Sequence, residues 1–234
     1  MNKVKISRNH NLVKRTGFLD SKKEKERLSN KKRINNSDNI VYCTTGDESG
    51  QLAYEAIQDK REQLYITKSD KVTILCGTGS QYNKEYCDNN GYYIMNMPAI
   101  IPGGVIISNI GDYSFAIIDD LKRGLWLSGV RASIVSYLKS KNLNARIAGN
   151  DILIDDLKIS GSGFSLSEQM RFEGLSISVV DSSEIIKNVC VKSMIKLPTN
   201  LQKYGLDIQD LVKVVIDYTA KYLNEGKHTL SFNN

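Results

Sequence analysis

Ala145-Arg146-Ile147-Ala148-Gly149-Asn150-Asp151-Ile152-Leu153-Ile154-Asp155-Asp156-Leu157-Lys158-Ile159-Ser160-Gly161-Ser162-Gly163 is the stretch on which the reading of this chain turns. Gly149-Asn150-Asp151 predicts a turn, Ile152 to Ile154 an apolar strand, Asp155-Asp156 an acidic turn, and Leu157 onward a further strand. Two adjacent short strands put Asn150, Asp151, Lys158 and the bare backbone of Gly161 and Gly163 around one spot. Such a set suits an acyl-adenylate. A fixed ammonium sits on a carbonyl and a phosphate, a carboxylate can hold Mg²⁺, and glycines let the backbone approach phosphate oxygens.

Outward from this stretch the chain predicts an α+β domain. Ile40 to Thr44 reads as a strand, and Gly50 to Gln63 as a helix with Leu52, Ala56 and Ile57 on one face. Val72 to Gly77, Tyr92 to Ile101, Gly103 to Ser108 and the alternating Tyr113 to Ile118 read as strands. Leu127, Val130, Ile134 and Leu138 recur at helical spacing, which predicts a helix over Gly124 to Lys141. Leu175, Ile177 and Val179 alternate as a strand. Asp207 can cap a last helix with Ile208, Leu211, Val212, Val215 and Tyr222 on one stripe. Strands outnumber helices, so one mixed sheet flanked by helices is expected.

The charge is unevenly placed. Of 32 basic and 26 acidic residues, 12 and 4 fall in residues 1–38, leaving 20 and 22 for the rest. The first segment thus carries +8 and the remainder −2. Residues 1–38 are poor in aliphatics and hold the runs Lys22-Lys23-Glu24-Lys25-Glu26-Arg27 and Lys31-Lys32-Arg33. They are read as a flexible basic arm, able to contact an acidic partner or a nucleic acid. Residues 39–234 are read as the catalytic domain. Cys43, Cys76, Cys87 and Cys190 show no metal-ligand spacing and are read as reduced thiols of a cytoplasmic protein. No apolar run suits a membrane span or a secretory leader. His10 and His228, the only histidines, lie near the termini, so histidine-based catalysis has little material.

A second constellation precedes the first. Pro102-Gly103-Gly104-Val105-Ile106-Ile107-Ser108-Asn109-Ile110-Gly111-Asp112 places tandem glycines before a strand, where backbone amides can meet an anion. Together the two stretches resemble the lipoate–protein ligase family, within the lipoate and biotin protein ligase superfamily. The family's lysine motif, Asp-Gly-Arg-Lys-Ile-Ser-Gly-Ser-Ala, is matched almost throughout by Asp155 to Gly163. Gly50 to Ile57 is similar to its first helix, and Cys76 to Tyr82 stands at its second-strand turn. The resemblance spans about residues 39–224 and implies the biotin/lipoate ligase-like catalytic fold. It also implies ATP, Mg²⁺ and lipoate or octanoate as ligands, and a lipoyl-acceptor domain as partner. The family's C-terminal accessory domain has no counterpart after the last helix, which leaves open a separate accessory-domain chain as a partner. Lys158 is implied to be catalytic. Gly103, Gly104, Val105, Ile106, Ile107, Asn150, Asp151, Lys158, Gly161 and Ser162 are implied to bind ATP or acyl-adenylate, with Mg²⁺ on Asp151.

The chain departs from the pattern where the family has two arginines, which fall on Pro98 and Ala99. One lost charge-assisted phosphate contact costs about 1.5–3 kcal/mol, and Arg171 or Arg146 are the candidate replacements. Ser108-Asn109 stands for the family's His-Asp pair. Related octanoyl transferases that work without ATP use a cysteine in the loop before the lysine, and none lies between Cys87 and Cys190. Biotin ligases carry Gly-Arg-Gly-Arg and a tryptophan before Pro-Asn-Asp, which are absent here. The rival of a different class is a non-catalytic binding protein that keeps the fold, favoured by the lost arginines and the basic arm.

Overall fold

The computed structural model describes residues 35–37, 39–76, 81–96, 105–121, 126–166, 169–191 and 196–225. In chain order these form β1 (Asn35–Ser37), β2 (Ile40–Cys43), α1 (Gly46–Gln58), β3 (Gln63–Lys68), β4 (Thr73–Cys76), α2 (Lys84–Asn89), β5 (Tyr93–Asn96) and β6 (Val105–Ser108). There follow β7 (Tyr113–Asp120), α3 (Trp126–Ser140), β8 (Ala145–Ala148), β9 (Asp151–Ile154), β10 (Leu157–Leu166), β11 (Met170–Ile177), α4 (Ser183–Val189) and α5 (Ile208–Glu225). Among the described residues no helix is long and apolar enough to cross a membrane.

The α+β expectation holds, with two mixed sheets in place of one. The larger runs β1-β2-β3-β7-β11-β10-β9-β8, and the smaller β5-β4-β6. Within the larger sheet only β2 and β3 pair in parallel, because α1 carries the chain back between them. Thr45 starts α1 by accepting from the Glu48 amide, while the Glu48 carboxylate accepts from the Thr44 amide at 2.7 Å. The cap places the helix start before the expected Gly50, and the helix stops at Gln58, short of the expected Gln63. Gln63 instead opens β3, a strand buried at its first five positions that the sequence reading missed. The charges of Arg61 and Glu62 before it and of Lys68 at its end obscured a short central strand. The short helices α2 and α4 were also unforeseen. Part of the segment read as an arm, Asn35–Ser37, pairs with β2. Gly103, Gly104, Pro98 and Ala99 lie outside the described residues.

One face of the large sheet carries α3 and α5, packed through Leu64, Ile117, Ile152, Leu175, Val130, Ile134, Leu138, Leu211 and Val215, all at most 1 % exposed. Asp207 caps α5 as expected, its carboxylate accepting from the Gln209 amide at 2.9 Å. The two helices meet closely. Trp126 is fully buried, donates its indole N–H to Thr219 Oγ1 at 3.1 Å and stacks on Tyr222. A Cβ on Gly129 would stand 1.7 Å from the Tyr218 hydroxyl oxygen. The opposite face packs α1 against Val41, Tyr65, Ile118 and Met170 at one end.

Beneath α5 the sheet buries Asp119 completely. Burial first, then the neighbouring Glu62 and Glu173 carboxylates, push its pKa up to about 7 against the opposing hydrogen bond from Tyr222. The unfolded chain releases this proton at ordinary carboxylate pH and the folded chain keeps it. Stability therefore falls as pH rises from about 4 to about 7, then levels off. Asp119→Asn removes this slope, so the melting temperature of the variant, measured by circular dichroism across that range, should decline less than the parent's. A Gly129→Ala variant should lose about 1–3 kcal/mol in urea unfolding, because Tyr218 must leave its place.

Candidate active site

The site lies on the face of the large sheet away from α3 and α5, at the hairpin that opened the sequence analysis. The β9–β10 turn is closed by Asp155 and Asp156, both at positive φ of 48° and 66°. Two such residues make the hairpin turn whose twist matches the strands, and Asp tolerates the conformation. Register then shifts: Lys158 pairs with Leu153, but Ser160 pairs with Ile152. The bulge at Ile159 re-aims Lys158 along its strand. Its backbone is held from the other side, the amide donating to the Leu197 carbonyl at 2.7 Å and the carbonyl accepting from the Thr199 amide at 2.8 Å.

The Lys158 side chain lies over Gly161. A Cβ there would be 3.2 Å from Lys158 Nζ and 3.3 Å from its Cε, so glycine keeps that contact free of crowding. Lys158 Nζ stands 3.0 Å from Asp151 Oδ1, and a second ammonium, that of Lys196, stands 2.8 Å from Asp151 Oδ2. Lys196 also donates to the Ala148 carbonyl at 3.2 Å. Burial tends to raise the Asp151 pKa, but the hydrogen bonds from Lys196 and Lys158 outweigh it and hold the carboxyl below its ordinary range. One carboxylate between two ammoniums leaves a net positive spot. Arg131 of α3 steadies the turn before it, donating to the Gly149 carbonyl at 2.9 Å.

Asp151 stands beside Lys158 and pairs with Gly161, and Asn150 precedes it in the turn. Ser162 is buried, and its hydroxyl donates to the Asn150 carbonyl at 2.6 Å, so it braces the turn. Val105, Ile106 and Ile107 form β6, an edge strand paired to β4 on one side, so alternate amides point away from that partner. Asp112, following that segment, is 1 % exposed and accepts from the Asn109, Val179 and Val180 amides, tying it to the exit of β11. Neither substitute arginine reaches the lysines: Arg146 pairs with Asp156 on the surface, and Arg171 with Glu173. The second cation at Asp151 is Lys196, which no motif flagged.

The donor set does not fit a resident Mg²⁺. Both Asp151 oxygens are bonded by lysines, and among the described residues no three His, Cys, Asp or Glu side chains converge on one point.

A cavity of about 180 Å³ adjoins Gly161. Gly161, Gly163, Gly174, Ala116, Ser114, Ser176 and Thr67 of the large sheet floor it, and Leu75 and Ile106 of the small sheet roof it. Gly46, Ser49 and Gly50, at the start of α1, complete one wall. A floor this poor in side chains makes room for a slender apolar ligand. Cys190 lies nearby at the end of α4. Burial raises its thiol pKa, and the Lys158 ammonium acts against that rise. Sequence reasoning searched for a cysteine only before the lysine, and so passed it over.

No protein-family model and no curated protein match this chain. Solved structures do. The bipartite lipoate protein ligase of the archaeon Thermoplasma acidophilum superposes with a TM-score of 0.61 at 17 % identity over 80 % of this chain and 83 % of that one. LipL1 of P. falciparum, solved with lipoate, gives 0.63 at 17 % identity over 82 % and 63 %. A lipoate-protein ligase A bound with ATP gives 0.63 at 17 % identity over 80 % and 85 %. With the lysine hairpin and the adjoining cavity in place, these likenesses settle the architecture: the chain has the fold of the lipoate/biotin protein ligase catalytic domain.

Proposed function

We propose that this chain is an ATP-dependent acyl-adenylate-forming ligase of the lipoate–protein ligase type. It activates lipoate or octanoate and passes the acyl group to a lysine of an acceptor domain. The observation that carries this reading is the Lys158–Asp151–Lys196 cluster over bare Gly161 at the edge of a slender cavity. The fold likeness supports it, as do lipoate and ATP in two of the similar structures and the lipoyl domain named with the archaeal ligase.

In this reading the acid lies along the cavity with its carboxylate toward Lys158. A carboxylate oxygen attacks the α-phosphorus of ATP and pyrophosphate leaves. Lys158 bridges the carbonyl oxygen and the α-phosphate, where negative charge accumulates in the transition state. Lys196 shares that load from the far side of Asp151, taking the part of an absent arginine. Asn150 orients the nucleotide, and the amides of Val105 to Ile107, with Gly103 and Gly104 before them, line its phosphates. The acceptor amine then attacks the anhydride carbonyl and AMP departs.

A second reading rests on Cys190. Such a thiol would take an acyl group from a thioester donor without ATP, although burial raises the Cys190 pKa and works against its thiolate. The thiolate attacks the donor carbonyl, the donor thiol leaves with a proton, and the acceptor lysine later attacks the new thioester. The two readings separate by donor. Under the first, pyrophosphate release requires the acid and ATP, and Cys190→Ser leaves it intact. Under the second, transfer from an acyl-thioester proceeds without ATP, and Cys190→Ser abolishes it.

Lys158→Ala should lower pyrophosphate release with lipoate or octanoate by about 10²–10³-fold while the melting temperature stays near the parent's. A parental rate in that variant refutes the role of Lys158. No release with either acid by the parent chain leaves the non-catalytic reading of this fold. For the basic arm we propose contact with an acidic partner or nucleic acid. Removing residues 1–34, which spares β1, should leave pyrophosphate release unchanged and abolish salt-sensitive binding to an anionic polymer such as heparin. A large fall in melting temperature on truncation would refute that view of the arm.

A further inference from the structure

A bare path crosses the cavity floor, and it starts at the lysine. Gly163 pairs with Gly174, and Gly174 with Ala116, so one row across β10, β11 and β7 carries nothing larger than a methyl group. Gly161, beneath Lys158, lies two residues from Gly163 on the same face of β10. All four residues line the cavity. Ser176 and Phe172, two residues to either side of Gly174 on that face, bound the row and line the cavity as well.

Gly174 is the member of the path whose identity the protein's own packing does not explain. A glycine inside a strand weakens it, and is kept where the backbone bulges, turns left-handed or is approached closely by other atoms. The register of β11 runs unbroken past Gly174 against both β10 and β7, so there is no bulge. Its φ lies outside the left-handed region. Among the described residues nothing crowds it either. A Cβ would meet Phe172 Cε1 at 3.7 Å and the Gly163 carbonyl oxygen at 4.0 Å, which are ordinary contacts. Gly161 differs, since a Cβ there would stand 3.2 Å from Lys158 Nζ. Gly174 is only half-buried although β11 is an interior strand, and the cavity lies above it. Of the three reasons close approach remains, and the approaching group comes from outside the chain.

We infer that the acyl chain of the ligand runs from Lys158 along this path, its methylenes against the Gly174 backbone, and that Gly174 is a specificity-determining residue that admits acids of medium length. The inference rests on the cavity being the acyl pocket of the function proposed above. Gly161 and Gly174 are one strand apart and two residues out of line, which places them about 8 Å from each other. A four-carbon acid with its carboxylate at Lys158 ends short of Gly174, and an eight-carbon acid passes over it. A methyl group at residue 174 would take the space that the longer chain needs and leave the protein's own packing as it is.

The test is isothermal titration of the full chain, without ATP, with butanoate and octanoate. Each buried methylene is worth about fourfold in affinity, so the parent should bind octanoate about 10- to 200-fold more tightly than butanoate. Gly174→Ala should weaken octanoate about tenfold and butanoate by less than about threefold, and Gly174→Val should remove the preference. The melting temperature of Gly174→Ala should equal or exceed the parent's, since alanine suits a strand interior better than glycine. Octanoate bound by Gly174→Ala as tightly as by the parent overturns the inference. So does an equal loss for both acids, a fall in that variant's melting temperature, or no binding of octanoate by the parent. Pyrophosphate release with octanoate separates this from the reading beneath it. Release with an unchanged KM for octanoate in Gly174→Ala refutes the role of Gly174 and keeps the ligase. A selective loss of octanoate binding in the variant, with no release by the parent, refutes the ligase and keeps the pocket's selectivity.

Discussion

The absence of a side chain at residue 161 is the constraint on which the rest of the site depends. Lys158 occupies the space beside it, and from there reaches Asp151 on the neighbouring strand. Any larger residue would push the ammonium outward and crowd the end of the cavity. The backbone serves the same end. A bulge at Ile159 turns Lys158 toward its glycine, and the chain at Leu197 to Thr199 binds its amide and carbonyl on the side away from β9. Position, charge and space at this point come from one local distortion of the sheet.

The electrostatics follow from that geometry. A carboxylate at Asp151 shared by two lysines is stable in its ionised form and does not offer its oxygens to a metal. It holds two cations side by side. Fixed charges need no reorganisation when the transition state forms, which is where preorganised sites gain most of their effect.

Much of this was legible in the sequence, for identifiable reasons. The Asp155-Asp156 turn, the glycines after Lys158 and the cap at Asp207 are local signals, decided within a few residues. The α3 and α5 stripes are periodic over whole helices and could be read directly. β3 could not, because Gln63 to Lys68 is short, follows a charged stretch and alternates too weakly to announce a central strand. Lys196 and Cys190 carry no local mark either. They join Lys158 only because the chain after α4 returns alongside β10, a contact between residues far apart in sequence. Ser162 shows the converse. The motif offered it as an adenylate contact, and in the structure its hydroxyl is turned to the Asn150 carbonyl, a detail that strand alternation and bulges decide.

The strand order carries a consequence for how the chain assembles. β3 has as neighbours β2 and β7, and β7 has β3 and β11, so the middle of the sheet joins segments separated by long loops. The apolar residues of β3 have no complete shelter until residues 113–120 and 170–177 have been made. Chains dominated by such distant pairings fold slowly, because loop closure must precede the contacts that reward it. A ribosome-bound intermediate that ends before β11 would expose the edge of β7, a ready template for association with another nascent chain. The topology that opens a cavity beneath the small sheet also makes the last third of the polypeptide the part that commits the first third to its fold.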